Sequence, residues 1–181
     1  KNRPKPCKYY DTEGLVMHCS SLSKSLAPGY RIGWILPGRF GAEVRQLKRI
    51  QSISSPTLTQ AGMAHYLQAG RYDFHLKALR KALHTQCLRY SQSIMEHFPA
   101  GTRLSRPEGG FVLWVELAPA VDVFKLRADA MAQHIAIVPG KIFSASCNFS
   151  HCLRISFGKP WNDDMDWGLK LLGDLVKKQL K

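Results

Sequence analysis

The chain has 181 residues, 45% of them hydrophobic, and a formal net charge of +13. That length suits one domain or two small ones, and no apolar run approaches the roughly 20 residues of a membrane span. Five scattered cysteines (Cys7, Cys19, Cys87, Cys147, Cys152) form no Cys-x-x-Cys pair, and seven histidines show no metal-ligand spacing; this argues against a disulfide framework or a metal site and for a reducing cytoplasm.

The sequence begins at Lys1 with no methionine and no signal-peptide pattern, which reads as processing or as truncation of a longer chain. Residues 1–14 are polar and basic, with Pro4, Pro6 and Gly14, and read as a loop or severed linker. A strand is expected over Leu15–Cys19, a polar loop after it, and a second strand over Tyr30–Leu36 ending in the turn Pro37–Gly38. Arg39–Ile53 reads as a helix with Phe40, Val44, Leu47 and Ile50 on one side, and Ser54–Ser55–Pro56 breaks it. Thr57–Gln68 is a second helix, stopped by Gly70.

The longest helix is expected over Arg71–Phe98. Leu76, Leu79, Leu83, Cys87, Tyr90, Ile94 and Phe98 step by three or four along it and make one apolar stripe. Beyond Gly101 the pattern is α+β. Strands are expected over Thr102–Ser105, Phe111–Leu117, Ile135–Val138 and Cys152–Phe157, with helices over Val121–His134 and Asn162–Leu180. Asn162 can cap the last helix, with Asp163 and Asp164 at its positive end and Lys177, Lys178 and Lys181 at its negative end. His18 and His134 lie in apolar stretches and read as packed, as do Trp34, Trp114, Trp161 and Trp167.

Basic residues concentrate at the front: 15 Lys/Arg against 5 Asp/Glu over residues 1–100, and 11 against 8 over 101–181. A basic half fits contact with an acidic partner, nucleic acid included, or a solvated basic face. The solvated face is favoured, because no base-reading helix or aromatic-basic interleaving is visible.

The most informative stretch is Ser21–Leu22–Ser23–Lys24–Ser25–Leu26–Ala27–Pro28–Gly29–Tyr30–Arg31–Ile32–Gly33. Ser21 and Ser23 offer hydroxyl donors, and Arg31 a planar fork that matches a phosphate. Lys24 among them could form an imine with an aldehyde, and burial together with the Arg31 cation would favour its neutral, nucleophilic amine. The same spacing also fits an ordinary surface loop with one lysine and one arginine.

Ser-x-Ser-Lys-x-x-x-Pro-Gly-x-Arg-x-Gly resembles the lysine motif of fold-type I pyridoxal-phosphate enzymes, the aspartate aminotransferase superfamily. Two further segments resemble that family in the right order: Pro107–Glu108–Gly109–Gly110–Phe111–Val112–Leu113–Trp114–Val115, and Cys152–Leu153–Arg154–Ile155–Ser156–Phe157–Gly158. The resemblance implies that Lys24 carries pyridoxal 5'-phosphate as a Schiff base. It implies that Ser21 and Arg31, and less firmly Ser23, hold the phosphate, and that Arg154 grips a substrate carboxylate. Strand alternation puts Arg154 and Ser156 on one face and Leu153, Ile155 and Phe157 on the other. A salt bridge from Arg154 to Glu116 is the structural alternative.

The resemblance also implies a fold class: an α/β (α+β) fragment, the C-terminal part of aminotransferase fold type I. Residues 1–70 would be the end of the large cofactor domain. Residues 71–181 would be the linking helix and the small domain, an antiparallel sheet with covering helices. The earlier large-domain strands, and with them the acidic partner of the cofactor's ring nitrogen, would lie outside this chain. By itself the fragment is not expected to be an enzyme or to need bound cofactor; the parent would be a transaminase if it is one.

Pro139–Gly140–Lys141–Ile142–Phe143–Ser144 and Phe157–Gly158–Lys159–Pro160–Trp161 further resemble MocR-type members of the GntR transcription regulators. That resemblance implies an amino-acid-like effector, DNA contacted through a winged-helix domain absent from this chain, a cytoplasmic homodimer and no membrane. A metabolic amino-acid aminotransferase is the second reading. An independent basic interaction domain with a coincidental lysine motif is the third.

Overall fold

The computed structural model describes residues 4–146 and 148–181, so Lys1, Asn2, Arg3 and Cys147 lie outside the described residues. The chain divides into two compact units between Lys77 and Ala78.

The first unit opens with a short 3-10 turn, Cys7–Tyr10. Asp11 follows and organises the segment expected as a loop. Its carboxylate accepts from the Leu15 and Val16 amides at 2.9 and 3.0 Å and from Lys8 Nζ at 2.7 Å. The Lys8 hydrogen bond, aided by the two amides, holds the Asp11 carboxyl well below the usual carboxylate range. Because the folded-state pKa is depressed, this anchorage is complete above the ordinary Asp value of about 3.9. It is lost as pH falls through the lower folded-state value. The Leu15 and Val16 amide proton shifts are expected to stay constant from pH 7 to about 4 and to move only in stronger acid. In Asp11→Ala they should take their acid-state positions at neutral pH.

β1 (His18–Ser21) and β2 (Gly33–Leu36) pair antiparallel, with His18 opposite Leu36 and Ser21 opposite Gly33. Both strands are displaced from their expected spans. Asp11 takes the Leu15 and Val16 amides, so pairing starts at His18 and runs through Ser21. A 3-10 turn over Pro28–Tyr30 and a left-handed Arg31 delay β2 to Gly33. α1 (Gly41–Ser52) and α2 (Thr57–Gln68) follow. The expected apolar stripe of α1 is present but uncovered: Leu47 is 54% exposed and Ile50 71%. Among the described residues of this unit the buried large apolar side chains are Leu22 and Met63, and many others, such as Trp34, Leu36 and Leu58, are exposed.

α3 (Arg71–His97) is the long helix, 27 residues. Its stripe is unevenly buried. Leu76, Leu79, Leu83 and Cys87 are half-buried, whereas Tyr90, Ile94 and the following Phe98 are almost fully enclosed.

The second unit is an antiparallel sheet with helices on one face. β3 (Arg103–Leu104), β4 (Val112–Glu116), β5 (Val138–Pro139) and β6 (Cys152–Ser156) lie in the order β3-β4-β6-β5. Leu113, Val115, Leu153 and Ile155 point from the two central strands into the core. There they meet Ile94 of α3, Val123 and Leu126 of α4 (Val123–Met131), and Leu172 and Val176 of α5 (Asp163–Gln179). Both helix starts carry side-chain caps. Asp122 accepts from Phe124 and Lys125 amides at 2.9 and 3.2 Å, which sets α4 two residues later than expected. Asn162 accepts from Met165 N at 3.1 Å, as its sequence position suggested.

The strand expected over Ile135–Val138 is shorter and later. His134 turns through the left-handed region (φ 62°), and Ile135 N still donates to Ala130 O at 2.9 Å. The chain is completing the helix's orphan carbonyls there, so strand pairing waits until Val138. His134 is exposed rather than packed, and Trp34 and Trp167 are about half exposed (46% and 56%), against expectation.

Candidate functional site

The lysine loop is a closed excursion between β1 and β2. Leu22 N donates to Ile32 O at 3.1 Å and shuts its neck. Leu22 itself is buried, and its carbonyl accepts from the Leu26 and Ala27 amides at 2.8 and 3.1 Å. Gly33 sits opposite Ser21 across the ladder, and a Cβ there would come within 2.9 Å of Ser20 O. The last glycine of the motif is therefore needed for the two strands to close.

Ser21 ends β1, Ser23 and Lys24 follow in the turn, and Arg31 closes the loop two residues before β2. One excursion thus carries two hydroxyls, an amine and a guanidinium. Arg31 holds φ 52° and ψ 40°, a left-handed conformation uncommon outside glycine. Such backbone points to a constraint other than local comfort. The expected burial of Lys24 is not found. Lys24, Ser21 and Arg31 are exposed and Ser23 is half-buried, because unit 1 has too small a core to enclose its loop.

Two residues that sequence reading did not single out pin this loop from the start of α3. Tyr72 donates its hydroxyl to Ser25 Oγ at 2.7 Å, and His75 Nε2 lies 2.8 Å from the Ser25 carbonyl. Their spacing of three places both on one side of the helix. That spacing was legible, but its partner 47 to 50 residues away was not. A cavity of about 580 Å³ lies beside the loop, lined by Leu26, Ala27 and Tyr30 on one side and by Gly62, Met63 and Tyr66 of α2.

Arg154 belongs to the second unit. Register sets it opposite Trp114 on β4 and Val138 on β5. The alternation holds: Leu153, Ile155 and Phe157 are buried, Arg154 is half-buried and Ser156 exposed. The guanidinium lies 4.9 Å over the Phe143 ring. Phe143 and Phe149 both stand edge-on to Trp114, at 5.9 and 5.4 Å, so the charge sits in an aromatic frame. Glu116, the alternative partner, is engaged by Arg103 at 3.6 Å and His151 at 3.7 Å. Phe143 comes from the 3-10 turn Gly140–Phe143, in a segment sequence reading had marked only by resemblance.

Among the described residues no group of three or more His, Cys, Asp or Glu side chains could hold a metal ion. Among the described residues no helix is long and apolar enough to cross a membrane.

Comparison with known proteins places the chain in a family. An uncharacterised HTH-type transcriptional regulator of Escherichia coli, YdcR, is 34% identical over 180 residues, which is 99% of this chain and 38% of that protein. An uncharacterised aminotransferase of Saccharolobus solfataricus is 30% identical over 178 residues, 98% of this chain and 44% of the relative. The crystal structure of Pyrococcus horikoshii kynurenine aminotransferase superposes with a TM-score of 0.89 at 30% identity, over 100% of this chain and 45% of that one. The chain thus spans 38–45% of the length of these proteins. The mixed helix and antiparallel-sheet architecture is that of a part of aminotransferase fold type I. The family model for aminotransferase class I and II matches residues 7–166, and this chain belongs to that family.

Proposed function

We propose that this chain is the C-terminal part of the effector-sensing, aminotransferase-like domain of a GntR/MocR-type transcription regulator. The observation that carries this reading is its likeness, over nearly its whole length, to HTH-type regulators of E. coli at 34% and 35% identity. The regulator would contact DNA through a helix-turn-helix domain outside these residues and act as a homodimer in the cytoplasm.

The loop's donor set fits pyridoxal 5'-phosphate. An amine suits its aldehyde, and two hydroxyls with a guanidinium suit its phosphate. Lys24 would hold the cofactor covalently, with Ser21, Ser23 and Arg31 on the phosphate. Bound there, the cofactor supplies an electrophilic carbon that reacts with amino groups. Tyr72 and His75 would keep the loop in its binding shape through Ser25. Arg154, fixed by β6 and framed by Phe143, would orient an amino-acid effector by its carboxylate.

The complete reading frame tests the regulator reading. An arm of about 60–70 residues with a helix-turn-helix pattern is expected before this region. A frame without one supports the second reading, a pyridoxal-phosphate amino-acid aminotransferase, which the S. solfataricus and P. horikoshii likenesses favour.

Arg154 gives a quantitative test of the effector site. Arg154→Lys keeps the charge and loses the fork. Amino-acid affinity of the cofactor-loaded full-length protein should fall by about 1.5–3 kcal/mol, or roughly ten- to a hundredfold. Cofactor binding should survive. Unchanged affinity in both Arg154→Lys and Arg154→Ala, measured by titration, removes the residue from the site.

A further inference from the structure

Arg154 carries a half-buried positive charge, and among the described residues its guanidinium makes neither a hydrogen bond nor an ion pair. Its surroundings are apolar instead. Across the sheet it stands in one row with Trp114 on β4 and Val138 on β5, and directly paired residues share a face. The Phe143 ring caps the guanidinium from the neighbouring turn, at 4.9 Å. A guanidinium capped on one face keeps the N–H donors along its edge, where a coplanar carboxylate binds.

The rings around this charge are pinned in place. Phe149 stands at φ 65°, a left-handed conformation that is an outlier for a bulky side chain. Its carbonyl accepts from Cys152 N at 3.1 Å, and its ring stands edge-on to Trp114. Gly140 lets the turn that carries Phe143 press onto β6. A Cβ added there would come within 2.8 Å of Cys152 Cβ and 2.9 Å of the Phe149 carbonyl oxygen. Although pinned, Phe143 and Phe149 are each 48% exposed, so open aromatic surface lies beside an unpaired cation.

We propose that Phe143 is a specificity-determining residue, and that the ligand held by Arg154 carries a flat aromatic group beside its carboxylate. The carboxylate would take the edge of the guanidinium, and the aromatic group would pack against Phe143 and Trp114. Aromatic rings gain from edge-to-face and offset contacts that a saturated ring of the same skeleton does not make. A wall that was merely apolar would favour the saturated ring, which has the larger apolar surface. The two cases therefore give opposite orders of affinity.

The inference rests on the reading of Arg154 as a carboxylate site and names the chemical class that this site takes. Its test is calorimetric titration of the cofactor-loaded full-length protein with 3-phenylpropionate and with 3-cyclohexylpropionate. These share a carbon skeleton and a carboxylate, and neither has an amine to react with the cofactor. 3-Phenylpropionate should bind roughly two- to tenfold more tightly. Phe143→Leu should erase that preference, Phe143→Tyr should retain it, and Arg154→Ala should weaken both ligands. Equal or reversed affinities in the unsubstituted protein, or a preference that survives Phe143→Leu, would overturn the proposal and leave Arg154 as the carboxylate site. Binding of both ligands that Arg154→Ala leaves unchanged, or that the unsubstituted protein lacks, would instead remove the Arg154 site and this inference with it.

Discussion

Lys24→Ala in the full-length protein is expected to abolish the visible absorbance of lysine-bound pyridoxal phosphate. The amine is the only group in the loop's donor set that can bond covalently to the aldehyde. Lys24→Arg sharpens the test. It keeps a cation at the same place, but a guanidinium remains protonated and does not act as the nucleophile. The band should be absent there too, which separates covalent attachment from mere charge. The fold should survive both changes. Lys24 is exposed, and the loop is held by buried Leu22, the Leu22–Ile32 hydrogen bond and the contacts of Tyr72 and His75 with Ser25. Far-ultraviolet circular dichroism of each variant checks this. If either variant keeps the visible band, Lys24 is not the attachment residue.

Gly173→Ala in α5 is expected to destabilise the second unit, against helix propensity. In an open helix position the change would stabilise by about 0.5–1 kcal/mol. Here an added Cβ would come within 2.5 Å of the His97 carbonyl oxygen and 2.8 Å of its carbon. Those are backbone atoms at the end of α3, and they cannot swing aside. Overpacking of this kind costs about 1–3 kcal/mol, so the net effect should be a loss. Gly168→Ala is the control within the same helix. Its nearest obstacle is Ile135 Cδ1 at 3.9 Å, an ordinary contact, so propensity should prevail and the variant should gain stability. Urea unfolding of the 181-residue chain measures both, with unchanged slopes showing that compactness is not altered. A Gly173→Ala midpoint at or above that of the unsubstituted chain would mean that α3 and α5 do not meet this closely.

The sequence by itself determined the local elements and the residue types of the site. Helical periodicity is a property of near neighbours, and it located α1, α2, α3 and α5 to within a residue or two. Alternation likewise told which side of β6 carries Arg154 and which carries Leu153 and Ile155. The lysine loop was legible because its serines, lysine and arginine lie within eleven residues of one another.

Tertiary structure decided what depends on distant partners. β1 and β2 moved from their expected spans because Asp11 captured two amides and Arg31 entered the left-handed region. β5 shortened because the end of α4 claimed Ile135 N. Burial of Lys24 depends on how much core surrounds it, and unit 1 encloses little. The aromatic frame of Arg154 and the tether from Tyr72 and His75 join residues far apart in sequence. Helix propensity disfavours Gly173, and only the approach of α3 makes it a requirement. Periodicity records which face a residue occupies; the identity of the neighbour on that face is fixed by chain folding, which no local pattern encodes.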